Sequence, residues 1–184
     1  GDEWLPSLPK HIILYKCFDW EPPIFIHLPL LLNADKSKLS KRQGDVNVED
    51  FLKKGYLKKA IINYVAMLGW HPNSNNEIFS MHDLLKTFSI ERIQKSGAIF
   101  DLKKLNWINS YYIKEMDLNI FQKLVDDYCI KTNTSLEFND KQMSYFLKYI
   151  KNRINALHEI QSHANLFGDN PNLINEHQLI LKNE

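Results

Sequence analysis

From residue 47 onward, apolar residues recur three or four positions apart, and helix start and stop signals bound each run. Asn47 is expected to cap a first helix that has acidic residues in its first turn and Lys53 and Lys54 in its last. Gly55 would end that helix, and Gly69 the next one. The predicted core face of the second helix consists of Ala60, Ile61, Tyr64, Val65 and Leu68.

The later helices are predicted from their caps. Ser80 with Asp83 has the pattern of a capping box, and Ser89 occupies a cap position before Arg92. Asp101 is expected to cap a helix with Leu102, Leu105, Ile108 and Tyr112 on its apolar side. Two further helices are predicted from Asp117 to about Ile130 and from Asn139 to about Ile150, with a G-D-N-P turn at 168–171 before a last short helical piece. The body is therefore predicted to be all-α.

Residues 1–33 have a different pattern. They combine a helical stretch (His11 to Phe18), a W-E-P-P turn and a β-like run from Ile24 to Leu32. One helix and one strand cannot bury their own apolar faces, and a sheet needs more strands than this segment supplies. We therefore expect a truncated N-terminus, with Gly1 lying inside a domain.

Composition excludes several classes of protein. The 184 residues suffice for one large domain or two small ones, and 44% apolar with 24% charged residues is ordinary for a globular protein. The net charge is only +1, so nucleic-acid binding would depend on local patches. No apolar run approaches the length of a membrane span. Cys17 and Cys129 are expected to be free thiols in a reducing compartment, and the scattered histidines favour no metal site.

The stretch S-K-L-S-K-R-Q-G-D at 37–45 concentrates positive charge in a loop-like segment. Taken alone, it is either a solvated lysine-rich turn or a loop that binds the phosphates of a nucleotide. It follows a strand-like run and precedes a capped helix, which is the position at the edge of a sheet where α/β proteins bind ligands. This setting favours phosphate binding.

The segment K-L-S-K-R at 38–42 resembles the K-M-S-K-S loop of class I aminoacyl-tRNA synthetases, in the form found in glutamyl-tRNA synthetases of bacterial or organellar type. The neighbouring blocks also resemble that family, in its order: G-D-E-W-L-P-S at 1–7, H-L-P-L-L-L-N at 27–33, G-D-V-N-V-E-D-F at 44–51, G-Y-L-K-K-A-I-I-N-Y-V-A-M-L-G-W at 55–70 and F-D-L-K-K-L-N-W-I-N at 100–109. The likeness covers roughly residues 1–115. Beyond 117 it is mostly pattern, with K-N-R-I-N-A-L-H-E-I at 151–160 as the best local match.

The resemblance implies a mainly α fold with three parts. Residues 1–45 would be the C-terminal end of a Rossmann-type catalytic domain that carries the K-L-S-K-R loop. Residues 46–116 would form a helical stem-contact domain, and residues 117–184 would begin the helical anticodon-binding domain.

It also implies an ATP-dependent ligase that activates L-glutamate, with Mg²⁺ accompanying ATP, and transfers it to the 3′ end of tRNA(Glu). Lys41 would stabilise the pyrophosphate leaving group. Lys38, Arg42 and Ser40 would support the loop. The backbone of Leu30 and Leu31 would contact adenine, and Glu3 and Trp4 would lie by the ATP or aminoacyl end. Leu39 replaces the methionine of the motif, and Leu8 stands where the family often has threonine, so no hydroxyl role is assigned at position 8.

For tRNA, the resemblance implies phosphate contacts from Lys103 and Lys104 and an approach of Arg153 to the third anticodon base. An arginine on a helix more often makes a salt bridge, and Trp107 is expected to pack structurally. The lysines at 53, 54, 58 and 59 either contact tRNA phosphates or form a solvated helix face. The remaining aromatic residues could stack on bases, but helical spacing favours the core for Trp70, Tyr64, Tyr111 and Tyr112.

The H-I-G-H-type segment of the family is absent from the 184 residues, so this chain is expected to be inactive alone. Two alternatives stay open: a non-catalytic RNA-binding module derived from a synthetase, and a synthetase-like enzyme that glutamylates a modified base. The helical continuation past 117 argues against the second. A monomer without membrane contact or structural metal is expected, in the cytoplasm or in a mitochondrial or plastid matrix.

Overall fold

The computed structural model describes residues 1–40 and 47–168. Helices dominate this part of the chain, which confirms the mainly α prediction. The α-helices are α1 (Leu8–Cys17), α2 (Val48–Lys53), α3 (Lys58–Gly69), α4 (Met81–Thr87), α5 (Leu102–Lys114), α6 (Leu118–Thr132), α7 (Asp140–Lys151) and α8 (Ile160–Gly168). Short 3-10 helices precede α1, β2 and α8, at Asp2–Ser7, Ile90–Arg92 and Leu157–Glu159. The predicted turn and helical piece after Gly168 lie outside the described residues.

The sheet is much smaller than the sequence predicted. Strand β1 (Leu31–Leu32) pairs in parallel with β2 (Ala98–Ile99), with Leu31 opposite Ala98 and Leu32 opposite Ile99. The strand prediction for residues 24–30 is wrong: Ile24 is 92% exposed there. Strand β2 was missed because two residues are too few to show a period of two.

The first helix begins earlier than predicted. It starts at Leu8 instead of His11, with Pro9 in its first turn. Proline is tolerated at this position because the first N–H groups of a helix have no partner within the helix.

The chain divides into two compact units. Unit 1 consists of Gly1–Val46 and Ile62–Leu102, and unit 2 consists of Asn47–Ile61 and Lys103–Glu184. Each unit is therefore built from two separate segments of the chain. The three functional domains expected from the resemblance remain predictions.

The core of unit 1 is aromatic. Trp70 packs against Phe79 and Leu84, with a ring-centroid distance of 6.1 Å between Trp70 and Phe79. Asn63 is fully buried beside this cluster, where its side chain accepts from Phe79 N–H at 2.7 Å and donates to Glu77 C=O at 3.0 Å. A buried amide needs such partners, so Asn63 fixes the 77–79 segment against α3.

Tyr64, on the same helix, is 3% exposed and its hydroxyl accepts from Asp101 N–H at 2.7 Å. Burial raises the pKa of Tyr64 to about 12. The prediction that Tyr64 and Trp70 are core residues is confirmed, whereas Val65 is 52% exposed and does not belong to the core face.

The core of unit 2 lies among its last three helices. Phe121 and Val125 of α6 and Phe146 of α7 are fully buried, and Phe146 lies 5.4 Å from Phe167 of α8. On α5 the fully buried apolar residues are Ile108 and Ile113, with Leu105 1% exposed. The 3.6-residue apolar spacing thus gives the correct inner face for α5, except that Leu102 is 46% exposed.

One amide joins three segments of unit 2. Asn109 is fully buried, accepts from Leu57 N–H at 2.8 Å and donates to Asn155 C=O at 2.5 Å. It therefore links the start of α3 to the segment between α7 and α8. Both partners are backbone groups, and a direct bond from His158 N–H to Lys54 C=O at 3.0 Å joins the same two regions.

The capping predictions are largely confirmed. Ser80 and Asp83 form a reciprocal capping box, and the Asp117 carboxylate accepts from two N–H groups at the start of α6. Asn139 also forms a capping box, with Gln142. Asn47 does precede α2, but its side chain donates to the Asp50 carboxylate at 3.2 Å and makes no cap bond.

The Ser89 prediction needs a similar correction. Ser89 begins only the 3-10 turn, and its hydroxyl donates to Glu91.

Candidate nucleotide-contacting and RNA-contacting residues

The loop after β1 is a tight, hydrogen-bonded turn up to Ser40. Asn33 N–H donates to Ser37 C=O at 2.8 Å, and Leu39 N–H donates to Leu31 C=O at 2.9 Å, so the chain folds back beside β1. Lys36 is in the left-handed region at φ 66°, which lets the turn reverse.

Two side chains hold this turn together. The Asp35 carboxylate accepts from the Ser37 hydroxyl at 2.6 Å and from Ser37 N–H at 2.9 Å, and Asn33 Nδ2 donates to the same hydroxyl at 2.8 Å. The bonds from Ser37 lower the pKa of Asp35 below its ordinary value. No role in the turn was predicted for Asn33, Asp35 and Ser37. Asn, Asp and Ser close together in sequence are nevertheless typical of a turn that side chains stabilise.

Lys38 and Glu3 lie near each other although they are distant in sequence. Lys38 Nζ is 3.9 Å from Glu3 Oε1, and both side chains are largely exposed, at 60% and 43%. A backbone hydrogen bond and, to a lesser degree, Lys38 hold the pKa of Glu3 below its ordinary value. Such an exposed pair adds little stability. Lys38, which the resemblance assigns to the ATP loop, thus lies near Glu3, which it assigns to the ATP or aminoacyl end.

Only some of the other residues predicted to contact ATP lie in the described part of the chain. Leu30 C=O accepts a hydrogen bond from Ala98 N–H of β2 at 3.1 Å, and Leu31 C=O accepts one from Leu39 N–H in the turn. Both carbonyls are therefore already hydrogen-bonded within the protein. The adenine contact of this backbone stays a prediction. Trp4 is 60% exposed. Lys41 and Arg42 lie outside the described residues. Ser40, which precedes them in the sequence, is half-buried.

The predicted tRNA lysines lie at the start of α5. Lys103 is exposed, and Lys104 is half-buried with its Nζ 4.5 Å from the centroid of the Trp107 ring. The prediction that Trp107 packs structurally is wrong, because the ring is 45% exposed; Tyr111 is 39% exposed and likewise does not belong to the core. Helical spacing alone misled here, since Trp107 and Tyr111 lie four positions apart on the exposed side of α5.

Arg153 follows α7 and lies over an aromatic ring. Its guanidinium carbon is 4.1 Å from the centroid of Tyr149, and Nη1 donates to Tyr149 C=O at 3.4 Å. Tyr149 also packs against Phe167 at 5.1 Å. The Arg153 side chain is therefore half-buried and lies against Tyr149 of α7. Its contact with an anticodon base stays a prediction.

Cys17 and Cys129 are free thiols, as predicted. Across residues 1–40 and 47–168, no helix has the length and apolarity needed to cross a membrane. The same described residues contain no cluster of three or more His, Cys, Asp or Glu side chains suited to a metal ion.

The first part of the chain matches a known protein family. Residues 1–107 match the profile of the family described as tRNA synthetases class I (E and Q), catalytic domain. The chain belongs to this family.

The chain is also similar to individual glutamate–tRNA ligases and to a solved structure of one such enzyme. A glutamate–tRNA ligase of Clostridioides difficile (strain 630) is 47% identical over 171 residues, which cover 91% of this chain and 35% of that protein. One from Chlorobium phaeobacteroides (strain DSM 266) is 60% identical over 116 residues, or 62% of this chain and 23% of that protein. The crystal structure of a glutamate-tRNA synthetase from Elizabethkingia anophelis superposes with a TM-score of 0.76 at 32% identity, covering 91% of this chain and 37% of that one. The chain thus spans about a third of the length of these relatives.

Proposed function

We propose that this chain works as part of a glutamate–tRNA ligase that joins glutamate to the 3′ end of tRNA(Glu) at the expense of ATP. The observation that carries the proposal is the 47% identity to a glutamate–tRNA ligase across 91% of the chain. The proximity of Lys38 and Glu3 supports it, because the resemblance assigns Lys38 to the ATP loop and Glu3 to the ATP or aminoacyl end of the same site.

The reaction needs charge stabilisation more than covalent catalysis. The glutamate carboxylate attacks the α-phosphorus of ATP, the bond to the β,γ-phosphates breaks, and pyrophosphate leaves with the electron pair. A ribose hydroxyl at the 3′ end of the tRNA then attacks the acyl carbon, and AMP leaves. Positioning and preorganised cations lower the barrier of the first step, because negative charge grows on the departing pyrophosphate.

This chain would supply one side of the ATP site. Lys41 would face the leaving pyrophosphate, with Lys38 and Arg42 adding positive charge and Ser40 shaping the loop. Glu3 and Trp4 would lie at the ATP or aminoacyl end, beside the backbone of Leu30 and Leu31. Mg²⁺ would accompany ATP.

Unit 2 would supply tRNA contacts. Lys103 is exposed and Lys104 half-buried at the start of α5, where they would neutralise phosphates of the inner stem of the tRNA. Arg153 would lie toward the anticodon. The expected division into residues 1–45, 46–116 and 117–184 assigns these roles to successive parts of the chain.

A chimera tests the proposal. In the glutamate–tRNA ligase of Clostridioides difficile, this chain would replace the homologous segment, and glutamate-dependent ATP–pyrophosphate exchange and charging of tRNA(Glu) would be measured. We expect both activities, and the same ligase with the segment deleted should have neither. A folded chimera with neither exchange nor charging would refute the proposal and favour a non-catalytic RNA-binding module.

A further inference from the structure

The turn that leads into the K-L-S-K-R loop is fixed by side chains as well as by backbone bonds. The Ser37 hydroxyl donates to the Asp35 carboxylate at 2.6 Å and accepts from Asn33 Nδ2 at 2.8 Å. Ser37 N–H donates to the same carboxylate oxygen at 2.9 Å, so Asp35 accepts two bonds from one residue. We call Asn33, Asp35 and Ser37 the turn network.

The turn network reaches the backbone of Lys38 directly. Asn33 Nδ2 also donates to Lys38 C=O at 3.4 Å, and Lys38 pairs with Leu32 in an isolated antiparallel bridge. At the next residue, Leu39 N–H donates to Leu31 C=O at 2.9 Å. The Lys38 backbone is thus anchored both to β1 and to the turn network, while its side chain is 60% exposed.

The backbone inside the turn adopts a conformation that its sequence does not favour. Lys36 has φ 66°, in the left-handed region that is strained for a residue with a Cβ. Such strain persists where the surrounding contacts over-determine the conformation, and it is concentrated at functional sites. The side-chain bonds of the turn network supply contacts of this kind.

We propose that Asn33, Asp35 and Ser37 are positioning residues for the activation of glutamate, which fix the Lys38 backbone so that the Lys38 ammonium group faces the pyrophosphate as it leaves. The inference rests on the proposed function, which gives Lys38 that task. A cation lowers the barrier most when it is in place before the charge develops. The present neighbour of Lys38, Glu3 Oε1 at 3.9 Å, is an exposed partner that adds little stability, so a phosphate can replace it.

The test measures glutamate-dependent ATP–pyrophosphate exchange by variants of the Clostridioides difficile chimera. Ser37→Ala should lower kcat about tenfold and leave KM for ATP within twofold, because a misplaced cation loses stabilisation of the transition state and not binding of the substrate. Ser37→Thr keeps a hydroxyl and should restore most of the rate. Asp35→Ala should cost about as much as Ser37→Ala, and the double variant little more than either, because both residues act through one turn.

Ser80→Ala is the matched control. The Ser80 hydroxyl donates to the Asp83 carboxylate at 2.6 Å, which is the same bond at the same distance as in the turn network, but this pair caps α4. Its loss should leave kcat within twofold, which separates positioning from a general loss of stability.

A second comparison tests whether Ser37 acts through Lys38. In a Lys38→Ala background, Ser37→Ala should change kcat less than twofold, because the group that Ser37 positions is gone.

Three results would overturn the inference. The first is a kcat for Ser37→Ala within twofold of the unsubstituted chimera, and the second is an equal loss of kcat in Ser37→Ala and Ser80→Ala. The third is an undiminished effect of Ser37→Ala in the Lys38→Ala background. In all three cases the unsubstituted chimera still catalyses exchange, so the proposed function stands. A chimera that has no exchange before any substitution would refute the proposed function and this inference together.

Discussion

Gly55 is the position where the structure makes the sharpest quantitative prediction. It follows α2 with φ +78°, a conformation that side chains with L chirality rarely adopt. A Cβ at this position would collide with the Leu157 side chain, and would lie 3.0 Å from Tyr128 Cε2. Leu157 is 2% exposed, so it cannot move into solvent without losing its buried contacts.

Two costs add in Gly55→Ala. The left-handed backbone costs an alanine about 1–2 kcal/mol. Overpacking against a buried side chain costs about 1–3 kcal/mol more. We therefore expect a loss of about 2–5 kcal/mol in the free energy of unfolding of unit 2. With a urea m-value of about 2 kcal/mol/M, the midpoint of its unfolding transition should fall by at least about 1 M.

Urea unfolding followed by circular dichroism measures this loss, and a second glycine is the control. A Cβ at Gly69 would have no neighbour within 4 Å, so Gly69→Ala should be neutral or slightly stabilising. A Leu157→Ala background should relieve little of this loss, because the atom nearest to the added Cβ is the Leu157 Cβ, which alanine keeps. A loss below about 0.5 kcal/mol for Gly55→Ala in the unsubstituted chain would refute the reasoning.

Three other predictions concern the candidate site and a helix cap. Lys41→Ala in the chimera should slow ATP–pyrophosphate exchange by about 10²-fold, the effect of losing one preorganised cation, and a rate within twofold would remove this role. Arg153→Gln should change the preference of the chimera between tRNAs whose anticodons end in C and in U; an unchanged ratio of charging rates would make Arg153 structural. Hydrogen bonds from Ser80 lower the pKa of Asp83 below its ordinary 3.8, so the stability from this pair is present above pH 3.8 and is lost as pH falls through the lowered pKa. Ser80→Ala should therefore make acid unfolding less dependent on pH below 3.8, and an unchanged acid-unfolding curve would contradict the linkage.

Most of the helical architecture could be predicted from local patterns in the chain. Capping residues and apolar spacing are local signals, and they placed α3, α5, α6 and α7 within a few residues of their observed bounds. The two capping boxes depend only on residues three positions apart, so they could be read directly from the chain. The likeness of K-L-S-K-R to a known loop was also a local signal, and the family comparison confirmed the class of protein.

Contacts between distant segments required the tertiary structure. The partner of β1 lies at Ala98–Ile99, and a two-residue strand has no sequence period. The proximity of Lys38 to Glu3 likewise depends on how the chain folds back after β1.

Exposure was the other property that only the fold decided. Trp70 and Trp107 both occur at helical spacing, but Trp70 is 1% exposed and Trp107 is 45% exposed. Spacing shows which residues share a side of a helix, whereas the packing of other segments decides whether that side is covered. That Trp107 and Tyr111 lie on an exposed side of α5 could therefore be recognised only from the tertiary structure.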